Sequence, residues 1–151
     1  MSEQEASSEF SVTLTRKYRW PAERICDAWT KPEWCVQWMR PNESAKTDAE
    51  IDLTVGGRYR FTIRQPDGKE SIVYGIYREI DRPQRLVFTW KWEESPVEQG
   101  ETLVTVNLAP TPDGTLLTLT HERLSSRMSA EGHTQGWTGC LNQLEVLAAR
   151  S

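Results

Sequence analysis

Residues 130–147 read AEGHTQGWTGCLNQLEVL, and the rest of the fold is built around this segment. Its apolar and aromatic side chains recur at spacings of three and four, which is typical of a helix with one apolar face: Ala130, His133, Trp137, Cys140, Leu141, Leu144 and Leu147. The pattern predicts a long C-terminal helix that begins near Ser126. Glycines 132, 136 and 139 are unusual there, because each costs about 1 kcal/mol relative to Ala inside a helix. They either let a strand or a ligand approach closely or leave the start of the helix frayed.

Upstream of this helix, apolar and polar residues alternate, which is the period of half-buried strands. The first such segment begins at Phe10, and six more follow at 45–55, 58–64, 71–80, 86–92, 104–108 and 117–121. Short turns such as Pro66-Asp67-Gly68 join consecutive strands, which must therefore be antiparallel. Between the first strand and the others, residues 21–39 show helical spacing and predict two short helices.

One face of this sheet must be covered, and only the long helix is long enough to cover it. The sequence therefore predicts an α+β fold in which a curved antiparallel β-sheet wraps around the C-terminal helix, with two short helices after the first strand. Residues 1–9 are predicted to be a flexible N-terminal lead. Residues 10–150 are predicted to form a single domain, which fits the common domain size of roughly 100–150 residues.

Composition excludes several classes of partner and location. The chain has 151 residues and a formal net charge of -4, whereas a nucleic-acid binder usually carries a basic excess. No segment approaches the roughly 20 apolar residues that span a bilayer, and residues 1–9 lack a signal-peptide pattern. We therefore expect no nucleic-acid partner and no membrane partner. The three cysteines lack metal-ligand spacing and indicate buried free thiols in a reducing, cytoplasmic compartment.

Several motifs occur together in an order that resembles a known superfamily. They are GGRY at 56–59, GIYREI at 75–80 before Pro83, RLVFTW at 85–90, TLVTV at 102–106, Gly114-Thr115 through THE at 120–122, and His133 with Gly136-Trp137 and Leu141. The chain resembles the START-like (SRPBCC) superfamily with its helix-grip fold, in the branch similar to the activator of the heat-shock protein 90 ATPase. The resemblance runs from about Phe10 to Leu147. It implies a cavity between the long helix and the sheet, which relatives use for lipids, polyketides or other hydrophobic small molecules.

Residues of the strands and of the long helix whose side chains are predicted to point inward are candidates for the wall of such a cavity. The second short helix would lie near the mouth of the cavity. These candidates are Tyr59, Phe61, Trp90, Trp92, His121, His133, Trp137, Trp34 and Trp38. We predict that they bind a hydrophobic small molecule, with Trp90 and Trp137 as wall residues and His121 or His133 as the polar anchor. The alternative is that the aromatic rings fill the core and that both histidines are satisfied core residues.

Catalytic motifs are absent: the sequence has no Gly-rich phosphate loop, no nucleophile elbow and no paired-carboxylate signature. His133 and Cys140 can share a helix face, but no third metal ligand is in view. The sequence indicates no cofactor and no metal site. An enzyme of the cyclase or hydratase type on the same fold stays an alternative.

A protein-interaction module is the competing class of function, with the tryptophans of residues 29–38 forming an exposed patch. The branch name adds a chaperone as an alternative partner. The relatives that carry this name have an additional N-terminal domain, whereas nine mostly polar residues precede the first predicted strand here. The sequence leaves open whether the protein is a monomer or a homodimer.

Overall fold

The computed structural model describes residues 10–95 and 100–149. The predicted lead at residues 1–9 lies outside the described residues. The strands are β1 (Phe10–Tyr18), β2 (Lys46–Ile51), β3 (Arg58–Arg64), β4 (Glu70–Asp81), β5 (Arg85–Trp92), β6 (Thr102–Thr111) and β7 (Gly114–Leu124). The helices are α1 (Ala22–Thr30), α2 (Pro32–Trp38) and α3 (Arg127–Ala149).

These seven strands form one open sheet in the order β1-β7-β6-β5-β4-β3-β2, and every neighbouring pair is antiparallel. Strands β2 to β7 follow one another as a meander. The last of them, β7, lies beside β1, where Leu119 pairs with Leu14. The predicted α+β fold, with its long C-terminal helix and two short helices after the first strand, is confirmed.

A glycine at the centre of the sheet lets β3, β4 and β5 approach closely. Gly75 on β4 pairs with Tyr59 on β3, and a Cβ atom at Gly75 would lie 2.0 Å from the carbonyl oxygen of Thr89 on β5. The Tyr59 ring crosses this position and donates its hydroxyl hydrogen to the same oxygen at 2.5 Å. A β-bulge between Tyr77 and Glu79 follows, and such bulges bend a sheet.

The apolar stripe of α3 packs into the core, as its spacing predicts. Trp137, Leu141 and Leu144 are buried, and Tyr18 of β1 donates a hydrogen bond to the carbonyl oxygen of Leu141 at 3.1 Å. The helix packs against both β1 and α2. None of the helices within the described ranges combines the length and the apolar character that crossing a membrane requires.

Candidate ligand-binding pocket

A pocket of about 270 Å³ lies between the first half of α3 and strands β3 to β5. The segment after α2 closes one side of it, and Met128, whose side chain is 67% exposed, lies at its rim. This space is called the pocket below. The residues that line it are Met39, Pro41, Ile63, Gln65, Ser71, Trp90, Trp92, Ser95, Met128, Ser129, Gly132, His133, Gly136, Trp137 and Cys140.

Two helical glycines keep the pocket open. A Cβ atom added at Gly132 or Gly136 would have no neighbouring atom within 4 Å, and both residues belong to the pocket lining. Gly139 differs, because its Cβ would lie 2.2 Å from the carbonyl oxygen of Pro41. The three glycines that are unusual inside this helix therefore fall into two groups with different roles. Gly139 permits close packing of α3, whereas Gly132 and Gly136 leave space beside the helix.

The pocket is predominantly apolar. None of its described lining residues is Asp, Glu, Lys or Arg, and its polar side chains are those of Gln65, Ser71, Ser95, Ser129 and His133. Binding sites with mostly apolar walls and a few placed polar groups are typical of small-molecule sites. Without charged side chains in its wall, the pocket favours an uncharged occupant, because an unpaired charge is costly to desolvate.

Three indole rings form the inner wall. Trp90 lies between the other two, with its ring centroid 5.6 Å from that of Trp92 and 4.8 Å from that of Trp137. Trp90 and Trp137 are buried and Trp92 is half-buried. The ring of Trp137 also packs against Trp29 of α1 at 5.8 Å, so the wall is continuous with the core.

His121 of β7 lies behind this wall and is fully buried. The indole N–H of Trp137 donates to His121 Nδ1 at 3.0 Å, so the proton of a neutral ring resides on Nε2. His121 Nε2 then donates to Thr102 Oγ1 at 2.7 Å, and the Thr102 hydroxyl donates to the Trp90 carbonyl oxygen at 2.8 Å. The histidine therefore connects two of the wall tryptophans through neutral hydrogen bonds.

His133 of α3 belongs to the pocket lining and forms the equivalent link to the third tryptophan. Its Nδ1 lies 2.8 Å from the carbonyl oxygen of Ser129, which can only accept, so Nδ1 carries the proton. The indole N–H of Trp92 donates to His133 Nε2 at 3.0 Å. The two imidazole rings contact each other, with their centroids 4.5 Å apart.

This arrangement favours binding over acid–base chemistry. The lone pair of each imidazole ring accepts an indole N–H, so neither ring is placed to act as a general base. Burial, followed by the proximity of His133, lowers the pKa of His121 well below its ordinary value of 6.5. Burial also raises the pKa of the Cys140 thiol to about 12, which keeps this pocket residue protonated and weakly nucleophilic at neutral pH. Within residues 10–95 and 100–149, no three His, Cys, Asp or Glu side chains form a group that could hold a metal ion.

The structure divides the nine predicted site residues between the pocket and the core. Trp90, Trp92, His133 and Trp137 line the pocket, and His121 lies directly behind it. Tyr59 and Phe61 pack against each other in the core at 5.1 Å, outside the pocket lining. Trp34 and Trp38 are also outside it.

The predicted exposed tryptophan patch at residues 29–38 is wrong. Trp38 is fully buried, donates its indole N–H to the Ala28 carbonyl oxygen at 2.8 Å and packs on Trp29 at 4.6 Å. Trp34 is half-buried against the ring of Trp20 at 5.8 Å. Lys31 has an extended backbone and separates α1 from α2, and the rings of Trp29 and Trp38 on these two helices pack in the core.

Several residues of the pocket are not among the nine predicted site residues. Met39 and Pro41 follow α2, Gln65 and Ser71 flank the β3–β4 turn, and Ser95 follows β5. Pro41, Gln65 and Ser95 lie outside the predicted helices and strands, and Met39 and Ser71 stand at the ends of predicted segments, so periodicity did not nominate them. The glycines of α3 were the one feature of the sequence that indicated where the pocket lies, because close approach of a ligand is one of the two explanations for glycine inside a helix.

Comparison with known proteins places the chain in a family. The family model described as Activator of Hsp90 ATPase homolog 1-like protein matches residues 19–149. No match was found among curated proteins.

Similar solved structures share the fold of this chain. A protein from Chromobacterium violaceum is 26% identical, with a TM-score of 0.82 over 91% of this chain and 96% of that one. The AHSA1 protein from Silicibacter pomeroyi is 23% identical, with a TM-score of 0.81 over 93% and 98% of the two chains. The AHSA1-like protein from Aeromonas hydrophila is 24% identical, with a TM-score of 0.75 over 93% and 94%. The chain belongs to the Activator of Hsp90 ATPase homolog 1-like family.

Proposed function

We propose that the protein binds a small, uncharged hydrophobic molecule in the pocket between α3 and the sheet. The observation that carries this proposal is the space beside Gly132 and Gly136, which faces a wall of three tryptophans. Each glycine lowers helix stability by about 1 kcal/mol relative to Ala. Neither makes room for another protein atom and both line the pocket, which supports a ligand as the reason for the space.

Within this proposal, the histidines position the wall. From the sequence, His121 or His133 is predicted to be the polar anchor of a ligand. In the structure, both ring nitrogens of each histidine already take part in hydrogen bonds with the protein. Their proposed role is therefore to hold the planes of Trp92 and Trp137, while the indole faces supply the contact with the ligand.

Native mass spectrometry of the freshly purified chain tests the proposal first. We expect an additional mass that disappears on denaturation, and the same spectrum distinguishes a monomer from a homodimer. Titration with fluorene, an uncharged apolar probe, provides the second measurement, because the indole N–H signals of the pocket tryptophans in NMR spectra report its binding. Absence of both a captured mass and a fluorene-dependent change would overturn the proposal.

A pair of neighbouring substitutions on α3 assigns the binding to the pocket. Gly136→Leu places a side chain in the open space and should weaken fluorene binding at least tenfold. Gln135→Leu adds similar bulk at an exposed position outside the pocket lining and should leave the affinity unchanged. Equal affinities in the two variants would show that fluorene binds elsewhere.

The family description favours a second candidate, stimulation of a chaperone ATPase. On this proposal the purified chain raises the ATP turnover of Hsp90, and an unchanged rate at saturating concentration rules it out.

The free, buried thiols of Cys26, Cys35 and Cys140 support a reducing compartment, and we propose the cytoplasm as the location of either activity.

A further inference from the structure

His133 is the histidine of the pocket lining, and it is half-buried. Its Nδ1–H donates to the Ser129 carbonyl oxygen at 2.8 Å, and its Nε2 accepts the indole N–H of Trp92 at 3.0 Å. A neutral imidazole has one nitrogen lone pair, and His133 uses it for the bond from Trp92. A proton added to this ring must take that lone pair and break the bond to the pocket wall.

Three elements place side chains beside the His133 ring in the described part of the chain. Strand β5 contributes Trp92, α3 contributes Ser129, whose hydroxyl oxygen lies 3.3 Å from Nδ1, and β7 contributes His121, whose ring centroid is 4.5 Å away. Of these three side chains only that of His121 titrates near neutral pH. Burial, followed by the proximity of His133, holds the pKa of His121 well below 6.5. On acidification, the first proton that enters this pair of rings therefore goes to His133, which is the less buried of the two.

A ligand in the pocket and a proton on His133 oppose each other. An uncharged apolar occupant displaces water from the pocket, and an imidazolium ring that loses its water is costly. The described lining residues include no Asp or Glu whose charge would offset that cost. Protonation also releases the Trp92 ring, so the wall with all of its indoles in place belongs to the neutral form of His133. Since linkage is reciprocal, a ligand that weakens proton binding must itself bind more weakly to the protonated protein.

We infer that the pocket is regulated by a proton: it holds its uncharged ligand while His133 is neutral and releases the ligand when His133 is protonated. This inference rests on the proposed function and adds the regulation of the same site. One proton is taken up at His133 for each ligand released. Below the pH at which the ring titrates in the free protein, the dissociation constant therefore rises about tenfold for each further pH unit.

Fluorene is suited to the test, because it has no group that titrates and any change of its affinity with pH reports a change in the protein. Its binding is followed through the indole N–H signals at pH 7.5 and at pH 5.5, with circular dichroism showing that the chain is folded at both values. We expect the wild-type protein to lose about tenfold or more in affinity at the lower pH. His133→Gln keeps an amide oxygen that can accept the N–H of Trp92 but does not titrate. Whatever its affinity at pH 7.5, this variant should bind fluorene within about twofold as tightly at pH 5.5.

NMR of the His133 ring in the wild-type protein provides a readout that needs no variant to fold. The ring should take up its proton at a lower pH when fluorene is bound than in the free protein. Equal affinity for fluorene at both pH values, or an unchanged titration of the ring, would overturn the inference and leave the proposed function standing. An equal loss of affinity in His133→Gln would also overturn it, because another group would then take up the proton. Absence of fluorene binding at pH 7.5 would overturn the inference as well, and together with the absence of a captured mass it would overturn the proposed function.

Discussion

At the scale of single residues, the pocket is organised by pairs of one indole and one imidazole ring. Trp137 with His121 and Trp92 with His133 each form a hydrogen bond in which the histidine accepts. An imidazolium ring has no lone pair and cannot accept. The wall of the pocket therefore depends on both rings being neutral, and protonation would break the bonds that hold two of its three tryptophans.

His121 should make stability depend on pH. Its pKa in the folded protein lies well below 6.5, so near pH 6 the unfolded chain binds a proton that the native state does not. The stabilisation is complete above pH 6.5 and declines as the pH falls, by at most about 1.4 kcal/mol per pH unit. Denaturant unfolding between pH 7.5 and 5 measures this slope.

The control is His121→Gln, which removes the titrating group. It should reduce the slope of the free energy of unfolding against pH by an amount that corresponds to about one proton. NMR of the His121 ring in the wild-type protein gives an independent check, since the ring should stay neutral as the pH falls below 6.5. A ring that titrates near 6.5 would contradict the prediction.

The wall tryptophans should differ in their contribution to stability. Trp137 is 3% exposed and packs against Trp29 and Trp90, so Trp137→Ala should cost about 3–5 kcal/mol in the free energy of unfolding. Trp92 is half-buried, and Trp92→Ala should cost about 1–2 kcal/mol, mainly through its lost hydrogen bond to His133. Urea titrations compare the two variants. Equal losses in the free energy of unfolding would show that the buried and the half-buried tryptophan contribute equally, against this prediction.

At the scale of elements, α3 combines packing and open space on the same face. The close contact at Gly139 and the unfilled positions at Gly132 and Gly136 lie within two turns of one helix. The helix therefore seals the core with its second half and leaves the pocket beside its first half.

Two matched substitutions in α3 should have opposite effects on stability. Gly136→Ala improves helix propensity and meets no atom within 4 Å, so it should raise the free energy of unfolding by about 1 kcal/mol. Gly139→Ala gains the same propensity, but its Cβ would lie 2.2 Å from the Pro41 carbonyl oxygen, and we expect a net loss. Thermal or urea unfolding distinguishes the two, and stabilisation by both would show that the contact at Pro41 relaxes without cost.

At the scale of the whole molecule, the pocket exists only in the folded state, because it is assembled from α3, three strands and the segment after α2. A ligand that binds only the folded state must stabilise it.

Fluorene at ten times its dissociation constant should therefore stabilise the wild-type protein by about 1.4 kcal/mol. For a chain of this size, we expect an increase in Tm of roughly 3–6 °C. Gly136→Leu should show no such increase, whereas Gln135→Leu should behave like the wild-type protein. Differential scanning calorimetry measures the shift, and an equal shift in both variants would contradict a pocket beside Gly136.

The sequence by itself determined the α+β fold, the order of its elements and the buried stripe of α3, because the periods of strands and helices are local properties. It also nominated Trp90, Trp92, His133 and Trp137, which share inward phases. Only the tertiary structure separated these pocket residues from Tyr59, Phe61 and Trp38 in the core, since an inward side chain is compatible with either place. The hydrogen-bond partners were likewise decided in three dimensions. Trp92 and His133 are 41 residues apart in the chain, and no local pattern connects them.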